Sequence, residues 1–233
     1  MAGTLYLIPV TLGNPDFGRS IPVYVTDIAR SLRFFVVEDT RSARRFLRLI
    51  DKNFPIDETD FRELNEHSSP VDTASLITPL LEGHDMGLMS EAGLPCIADP
   101  GSLLVRQAHR SGIKVVPLPG PSSILLSVIA SGLNGQNFVF HGYLPQKANE
   151  RLERIKEIEK KALTGQSQVF METPYRAAKM METLLSGCRP DTSLCVAINI
   201  TLETEEISTM KISEWRKQPP DLDGKLVVFV LGQ

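Results

Sequence analysis

Short runs of β-branched, aromatic and aliphatic residues alternate along this chain with segments of helical period, and that alternation admits few architectures. It calls for mostly parallel sheets covered by helices. LYLIP at 5–9 reads as the first strand, FFVV at 34–37 as the second, GLMS at 87–90 and IKVVPL at 113–118 as later ones. Between them lie helical stripes. Val25, Ile28, Ala29 and Leu32 share a face beyond Pro22, and Ala43, Phe46, Leu47 and Ile50 share another after Thr40, read here as the helix cap. Leu76, Ile77, Leu80 and Leu81 suggest a helix that Pro79 shortens, and a helix from Ser102 closes at Gly112. The second half repeats the pattern with FVFHGYL, a charged helix around Leu152, Ile155 and Ile158, QVFME at 168–172, a helix opened by Thr173-Pro174, and closing strands at 193–200, 206–212 and 225–232. The middle one of these is expected to run antiparallel. With 233 residues the chain has room for two modest α/β domains, each with its own core. The cluster Pro117 to Pro121 marks the boundary, giving domains 1–116 and 117–233.

Hydrophobic residues at 42% and charged residues at 23% describe a globular protein rather than a disordered one. No apolar run reaches the roughly 20 residues of a membrane helix, and the N-terminus reads straight into a strand without a signal-peptide pattern. The expectation is a cytoplasmic protein with no membrane association. Cys96, Cys188 and Cys195 are odd in number and widely spaced, which suits packing in a reducing compartment, and His67, His84, His109 and His141 have no metal-ligand spacing, so no metal is expected. The net charge of -3 is unevenly spread: residues 1–50 hold seven Arg against four acids. Arg41, Arg44, Arg45 and Arg48 fall along one exposed helix face, a candidate surface for phosphates or simply a solvated one.

Ligands in α/β sheets collect at loops leaving the carboxyl ends of strands, and three such loops have unusual composition. The first runs Val10 to Asp16, where Gly13 allows close backbone approach. It is no G-x-G-x-x-G fingerprint, and no Walker motif or G-x-S-x-G elbow occurs, which removes the usual support for dehydrogenase, NTPase and serine-hydrolase readings. The second, Ser90 to Gly101, packs two prolines, two glycines and the carboxylates Glu91 and Asp99 between a strand and a helix. So much backbone control points to a shaped ligand loop. In the third, Pro119-Gly120-Pro121-Ser122-Ser123, fixed φ angles lead into hydroxyls at a helix N-terminus.

These loops in this order, with TLYLIPVTLGN, VVEDTRSARRFL, LMSEAGLPCIADPGSLLVRQAHRSGIKVVPLPGPSS and VFMETPYRAAKMMETL, resemble the tetrapyrrole (corrin/porphyrin) methylase superfamily. The similarity is greatest to its small-subunit ribosomal RNA cytidine 2′-O-ribose methyltransferase branch. It is dense from Gly3 to about Leu185 and thin beyond. The resemblance implies two α/β domains with S-adenosylmethionine (SAM) in the cleft between them, and a homodimer. By matched position it implies Leu12 and Gly13 in the first cofactor loop, Ala92, Gly93, Leu94 and Ile97 around the methionine and ribose portions, and Ser122 and Ser123 in the third loop. Met171, Ala197 and Gly224 match positions near the adenine. Leu94 stands where relatives often carry Asp or Thr, and Ala197 to Thr201 replace a more charged stretch.

The resemblance further implies methyl transfer to a ribose hydroxyl of ribosomal RNA, with the small ribosomal subunit as partner and the arginine face as substrate surface. Methylation of a tetrapyrrole-like small molecule, or a non-catalytic SAM- or RNA-binding module, stays open at this point. A sulfonium methyl needs chiefly alignment and exclusion of water. A hydroxyl acceptor must also lose a proton, and Glu38, Asp39, Glu91, Asp99, Glu172 and His141 are the residues that strand ends could present for this.

Overall fold

A computed structural model of the chain describes residues 2–64, 75–99 and 101–233. His67, and Pro100 of the second loop, lie outside the described residues. The chain divides into two compact units, Met1–Ser122 and Ser123–Gln233. Pro117 to Pro121 therefore belong with the first unit.

In the first unit the order is β1 (Thr4–Leu7), α1 (Val23–Ser31), β2 (Phe34–Val37), α2 (Thr40–Ile50), β3 (Asp60–Glu63), α3 (Thr78–Leu81), β4 (Met86–Met89), α4 (Ser102–Arg110) and β5 (Lys114–Pro117). The five strands form one parallel sheet in the order β3-β2-β4-β1-β5. Parallel strands buried on both faces read as unbroken apolar runs, and FFVV is one. Its side chains alternate between two cores. Phe35 and Val37 pack with Val25, Ala29, Phe46 and Leu47 of α1 and α2, whereas Val36 packs with Leu80, Leu104 and Ala108 of α3 and α4. The layers are thus helix, sheet, helix. From β1 the chain moves through α1 toward β2, and from β4 through α4 to β5 on the other side of β1, so these two exits run in opposite directions across the sheet. Ligand sites of open α/β sheets form at such reversals.

Two local expectations change. β3, with the sequence DFRE, is not among the strands expected from the sequence, yet it pairs with β2 from Phe34↔Asp60 to Val37↔Glu63. It is an edge strand, so it needs no continuous apolar run. At α2, Asp39 rather than Thr40 occupies the cap. The Asp39 carboxylate accepts the Ser42 N–H at 2.7 Å, while the Thr40 hydroxyl donates to Glu63 of β3 at 2.7 Å.

The second unit runs α5 (Ser123–Ser131), β6 (Phe138–Tyr143), α6 (Ala148–Ala162), β7 (Ser167–Glu172), α7 (Ala177–Gly187), β8 (Ser193–Ile198), β9 (Glu206–Lys211), α8 (Ile212–Trp215) and β10 (Val227–Gly232). Its sheet has the order β6-β7-β10-β8-β9. Here the expectation of mostly parallel strands is corrected. Among neighbouring pairs only β6 and β7 are parallel; β10 runs antiparallel to both β7 and β8, and β9 is antiparallel to β8 as expected of the middle closing strand. The cause is the connectivity: β8 turns straight into β9, and the last strand inserts between β7 and β8. Phe170 and Phe229 stack at 5.5 Å in the core beneath α6 and α7, and the Trp215 indole N–H donates to the Leu194 carbonyl at 2.9 Å. Thr173-Pro174 lies in a turn ahead of α7 rather than in its first turn, since the cap is Arg176.

The Asp39 cap carries a test. Hydrogen bonds from the Ser42 backbone and side chain hold its carboxyl below the ordinary range. Asp39→Ala should lower stability by about 1 kcal/mol at neutral pH. The charge-dependent part of that difference is present above the unfolded Asp value, about 3.9, and is lost as pH falls through the lower folded value. Urea midpoints at neutral and acid pH measure it; a difference that grows in acid contradicts the assignment.

Candidate functional site

The three compositionally unusual loops meet at the carboxyl end of the parallel sheet. Past β1, Ile8 N–H donates to the Leu88 carbonyl and Val10 N–H to the Gly93 carbonyl, both at 2.9 Å, the second forming an antiparallel bridge. Gly93 has φ +74°, and a β-carbon added there would lie 3.2 Å from Leu12 Cδ2 and 3.3 Å from the Pro121 carbonyl oxygen. Leu12 of the first loop, Gly93 of the second and Pro121 of the third are therefore neighbours. Gly120 is just as closely held: a β-carbon there would collide with the Pro9 ring.

The second loop is shaped by main-chain contacts. The Asp99 carboxylate accepts the Cys96 N–H at 2.9 and 2.8 Å and the Gly101 N–H at 2.8 Å, and Cys96 and Ala98 sit at φ +69° and +64°. Left-handed backbone at residues other than glycine costs on the order of 1–3 kcal/mol each and persists where surroundings dictate it. Asp99 supplies that constraint. Burial pushes the Cys96 thiol up to about 12, so it stays protonated and is no nucleophile.

Among the residues proposed from sequence to take a proton, most are already committed. Asp39 caps α2 and Asp99 holds its own loop. Glu172, buried, binds the Thr173 N–H at 2.8 Å and pairs with Arg176 at 2.7 Å. His141 lies between Gln168 at 2.8 Å and Arg154 at 3.2 Å, and burial keeps its pKa low. Glu38 and Glu91 remain. Glu38 follows β2, and its Oε2 accepts the Glu91 N–H at 3.2 Å. Burial raises the pKa of its carboxyl, opposed by the Glu91 amide and reinforced by the charges of Asp99, Glu91 and Asp39. Sequence reasoning had Glu38 as one of six; the half-burial and the neighbouring carboxylates that single it out come from β2 lying next to β4.

Of the other residues matched by resemblance, Ala92 and Ile97 are exposed, Leu94 is half-buried and Ser122 is buried. Met171 and Ala197 are brought together as the two cross-strand partners of Val228 on β10. Gly224, at φ +68°, sits in the exposed turn before that strand. Arg41, Arg44, Arg45 and Arg48 are all exposed on α2. Arg44 lies over the Phe61 ring at 5.3 Å, and Arg48 donates to the Lys52 carbonyl at 2.8 Å.

Residues 4–215 match the family described as Tetrapyrrole (Corrin/Porphyrin) Methylases. The methyltransferase CobJ shares the fold with TM-score 0.66 at 16% identity, covering 100% of this chain and 95% of that one. So does uroporphyrin-III-C-methyltransferase from Thermus thermophilus, with TM-score 0.58 at 16% identity over 100% and 93%. The chain belongs to the tetrapyrrole methylase family; it is a methyltransferase with SAM as methyl donor. It is similar to the ribosomal RNA small subunit methyltransferase I of Vibrio cholerae, 33% identical over 99% of this chain and 78% of that protein. The proteins of that name from Streptococcus pyogenes serotype M6 and Escherichia coli O157:H7 are 34% and 30% identical, each over 99% of this chain and 77% and 78% of their own length.

The residues present fit SAM. Gly93, the exposed Ala92 and the amides of a loop held open by Asp99 form a surface of backbone and small side chains, where a bulkier residue would intrude. Gly93→Val should weaken SAM binding at least ~10-fold, because the side chain would be strained at φ +74° and would press on Leu12 and Pro121. Calorimetry on the folded variant decides it, and unchanged affinity would remove this loop from the cofactor site.

Proposed function

We propose that the chain transfers the methyl group of SAM to a ribose 2′-hydroxyl of small-subunit ribosomal RNA. The observation that carries this reading is the similarity, across nearly the whole chain, to proteins named ribosomal RNA small subunit methyltransferase I. The exposed arginine face of α2 supports it: four cations along one side of a helix suit a phosphate backbone in a protein whose net charge is negative. The same resemblance supports a cytoplasmic homodimer.

In this proposal Leu12, Gly13, Ala92, Gly93, Leu94, Ile97, Ser122 and Ser123 hold SAM, with Met171, Ala197 and Gly224 on its adenine side. Bound SAM supplies an electrophilic sulfonium methyl. The chain's own residues orient the acceptor and exclude water, which contributes up to roughly 7–11 kcal/mol. With Leu94 apolar, contacts at that position come from the backbone that Asp99 shapes. Glu38 accepts the hydroxyl proton, its raised pKa bringing it closer to a general base's working range.

Isolated small ribosomal subunits lacking the modification, incubated with methyl-labelled SAM, should gain label on a ribose 2′-oxygen. Label confined to a small-molecule fraction would overturn the reading. Reversing Arg41, Arg44, Arg45 and Arg48 to Glu should lower RNA affinity ~100-fold or more and reduce the log–log salt slope by about 3, leaving SAM affinity intact. A quadruple variant that methylates normally would make this face only a solvated helix surface.

Glu38→Gln has two expected effects. Since burial raises the folded pKa of Glu38, folding favours its protonated form. That contribution is present below the unfolded Glu value, about 4.3, and is lost as pH rises through the folded value. The Gln variant should therefore be the more stable protein at neutral pH and match wild type in acid, while its methyl transfer slows ~100-fold or more with SAM binding retained. Full activity would exclude Glu38 as the proton acceptor.

A further inference from the structure

One face of the second unit's sheet ends in an exposed leucine. Val227, Phe229 and Leu231 of β10 pack into the core with Phe170, Val196 and Ile198. Side chains alternate along a strand. Leu226 and Val228 therefore belong to the opposite face, together with Met171 of β7 and Ala197 of β8, the cross-strand partners of Val228. Exposure along this row changes abruptly: Ala197 is 0% and Val228 6% exposed, but Leu226 is 52% exposed. A lone surface leucine is ordinary. This one ends a continuous apolar row, and its backbone is fixed on both sides.

Asn199 does the fixing. Its N–H donates to the Leu226 carbonyl at 2.9 Å, and the Leu226 N–H donates to Asn199 Oδ1 at 3.1 Å. β8 has ended at Ile198, and with Asn199 at φ +49° its own carbonyl accepts the Leu202 N–H at 2.9 Å instead. The side-chain oxygen of Asn199 thus continues the ladder in the carbonyl's place. Its amide nitrogen donates to Thr204 Oγ1 at 3.0 Å, which ties the same residue to the far side of the turn. Two residues on, Thr201 takes φ +72°, and its N–H donates to the Glu205 carboxylate at 2.6 Å. Left-handed backbone at a β-branched residue is a true outlier, and such strain gathers where ligands are held.

Ala197 has no exposed surface and so backs this face without reaching a ligand. Leu226 is the member of the row that presents it. Gly224, two residues earlier, is exposed, and a β-carbon added there would meet nothing within 4 Å. An uncharged aliphatic row that ends in open space suits the face of a flat, neutral ring. Adenine is that part of SAM, whereas the sulfonium and amino-acid portions are charged. Apolar walls with a few fixed polar groups are how proteins hold such rings.

We infer that Leu226 supplies the apolar contact for the adenine ring of SAM and that Asn199 is the residue that positions it. The inference rests on the adenine side proposed above for Met171, Ala197 and Gly224, and adds the side chain that touches the ring and the one that holds it in place.

The test uses the full chain, methyl-labelled at leucine and methionine, with S-adenosylhomocysteine as ligand. The Leu226 methyl signals, assigned by their loss in Leu226→Met, should shift upfield on binding as the ring comes to lie over them. By calorimetry Leu226→Ala should weaken binding about 5- to 10-fold, the loss expected when a half-covered leucine is truncated. Its urea midpoint should stay that of wild type, because the side chain is exposed without ligand. Asn199→Gly accepts the backbone angle but removes both side-chain bonds, and should weaken binding ~5-fold. Asn199→Asp keeps the acceptor for the Leu226 N–H and should restore it. Since the asparagine acts through the leucine, the double variant Asn199→Gly/Leu226→Ala should bind no more weakly than Leu226→Ala alone; additive losses would overturn the positioning role. Unshifted Leu226 methyls beside a shifted Met171 methyl would overturn the contact and leave the adenine side where it was proposed. So would a dimer that Leu226→Ala converts to monomers, by making this face a contact between copies. Unshifted signals at both residues with the ligand bound would instead bring down the adenine side on which the inference stands.

Discussion

Everything at the candidate site depends on the hydrogen bond from Val10 N–H to the Gly93 carbonyl. β1 and β4 lie side by side but release the chain in opposite directions, so without a tie their loops would diverge. The bridge joins them one step past the sheet. Gly93 sits there at positive φ against Leu12 and Pro121, and a side chain at 93 would be strained and would crowd both neighbours. A single main-chain contact thus turns a change of strand order into a defined surface.

Electrostatics in the first unit divides along the same sheet. The carboxyl ends of β2 and β4 gather Glu38, Glu91 and Asp99, two of them with raised pKa, while the outer face of α2 gathers arginines. Helix geometry explains the second. Positions 41, 44, 45 and 48 share a face because 43, 46, 47 and 50 must face the core. Position next to a strand end explains the first, because Glu38 and Asp99 are partly desolvated there, and the charges of Asp99, Glu91 and Asp39 add to the effect at Glu38. A negative chain can in this way present a positive surface without any excess of basic residues overall.

How far the sequence was legible depended on what each segment had to bury. FFVV was read with its observed limits because both its faces meet helices. DFRE was not, because an edge strand may be polar and charged residues look like loop. The direction of β10 was hidden for a related reason: an apolar run buries as well antiparallel as parallel, and only connectivity decides. The caps show a finer limit. Asp39 and Thr40 are both good cap residues side by side, and the choice fell to Asp39 because Glu63, on the strand that was missed, engages Thr40. At the candidate site, composition and resemblance pointed to the loops that hold Gly13, Gly93 and the serine pair. That Leu12, Gly93 and Pro121 are neighbours could not, since residues 12, 93 and 121 are joined only by the crossing of loops.

The way Asp99 holds its loop has a consequence for how such a protein changes over time. The Asp99 carboxylate fixes the loop through the amides of Cys96 and Gly101, which every residue type except proline provides. The loop's contour is therefore not set by the side chains at 94 and 97, whereas Ala98, at φ +64°, stays restricted. Side chains at 94 and 97 can thus change without first dismantling the scaffold that presents them. Conformation and chemistry are inherited separately within one short stretch of chain.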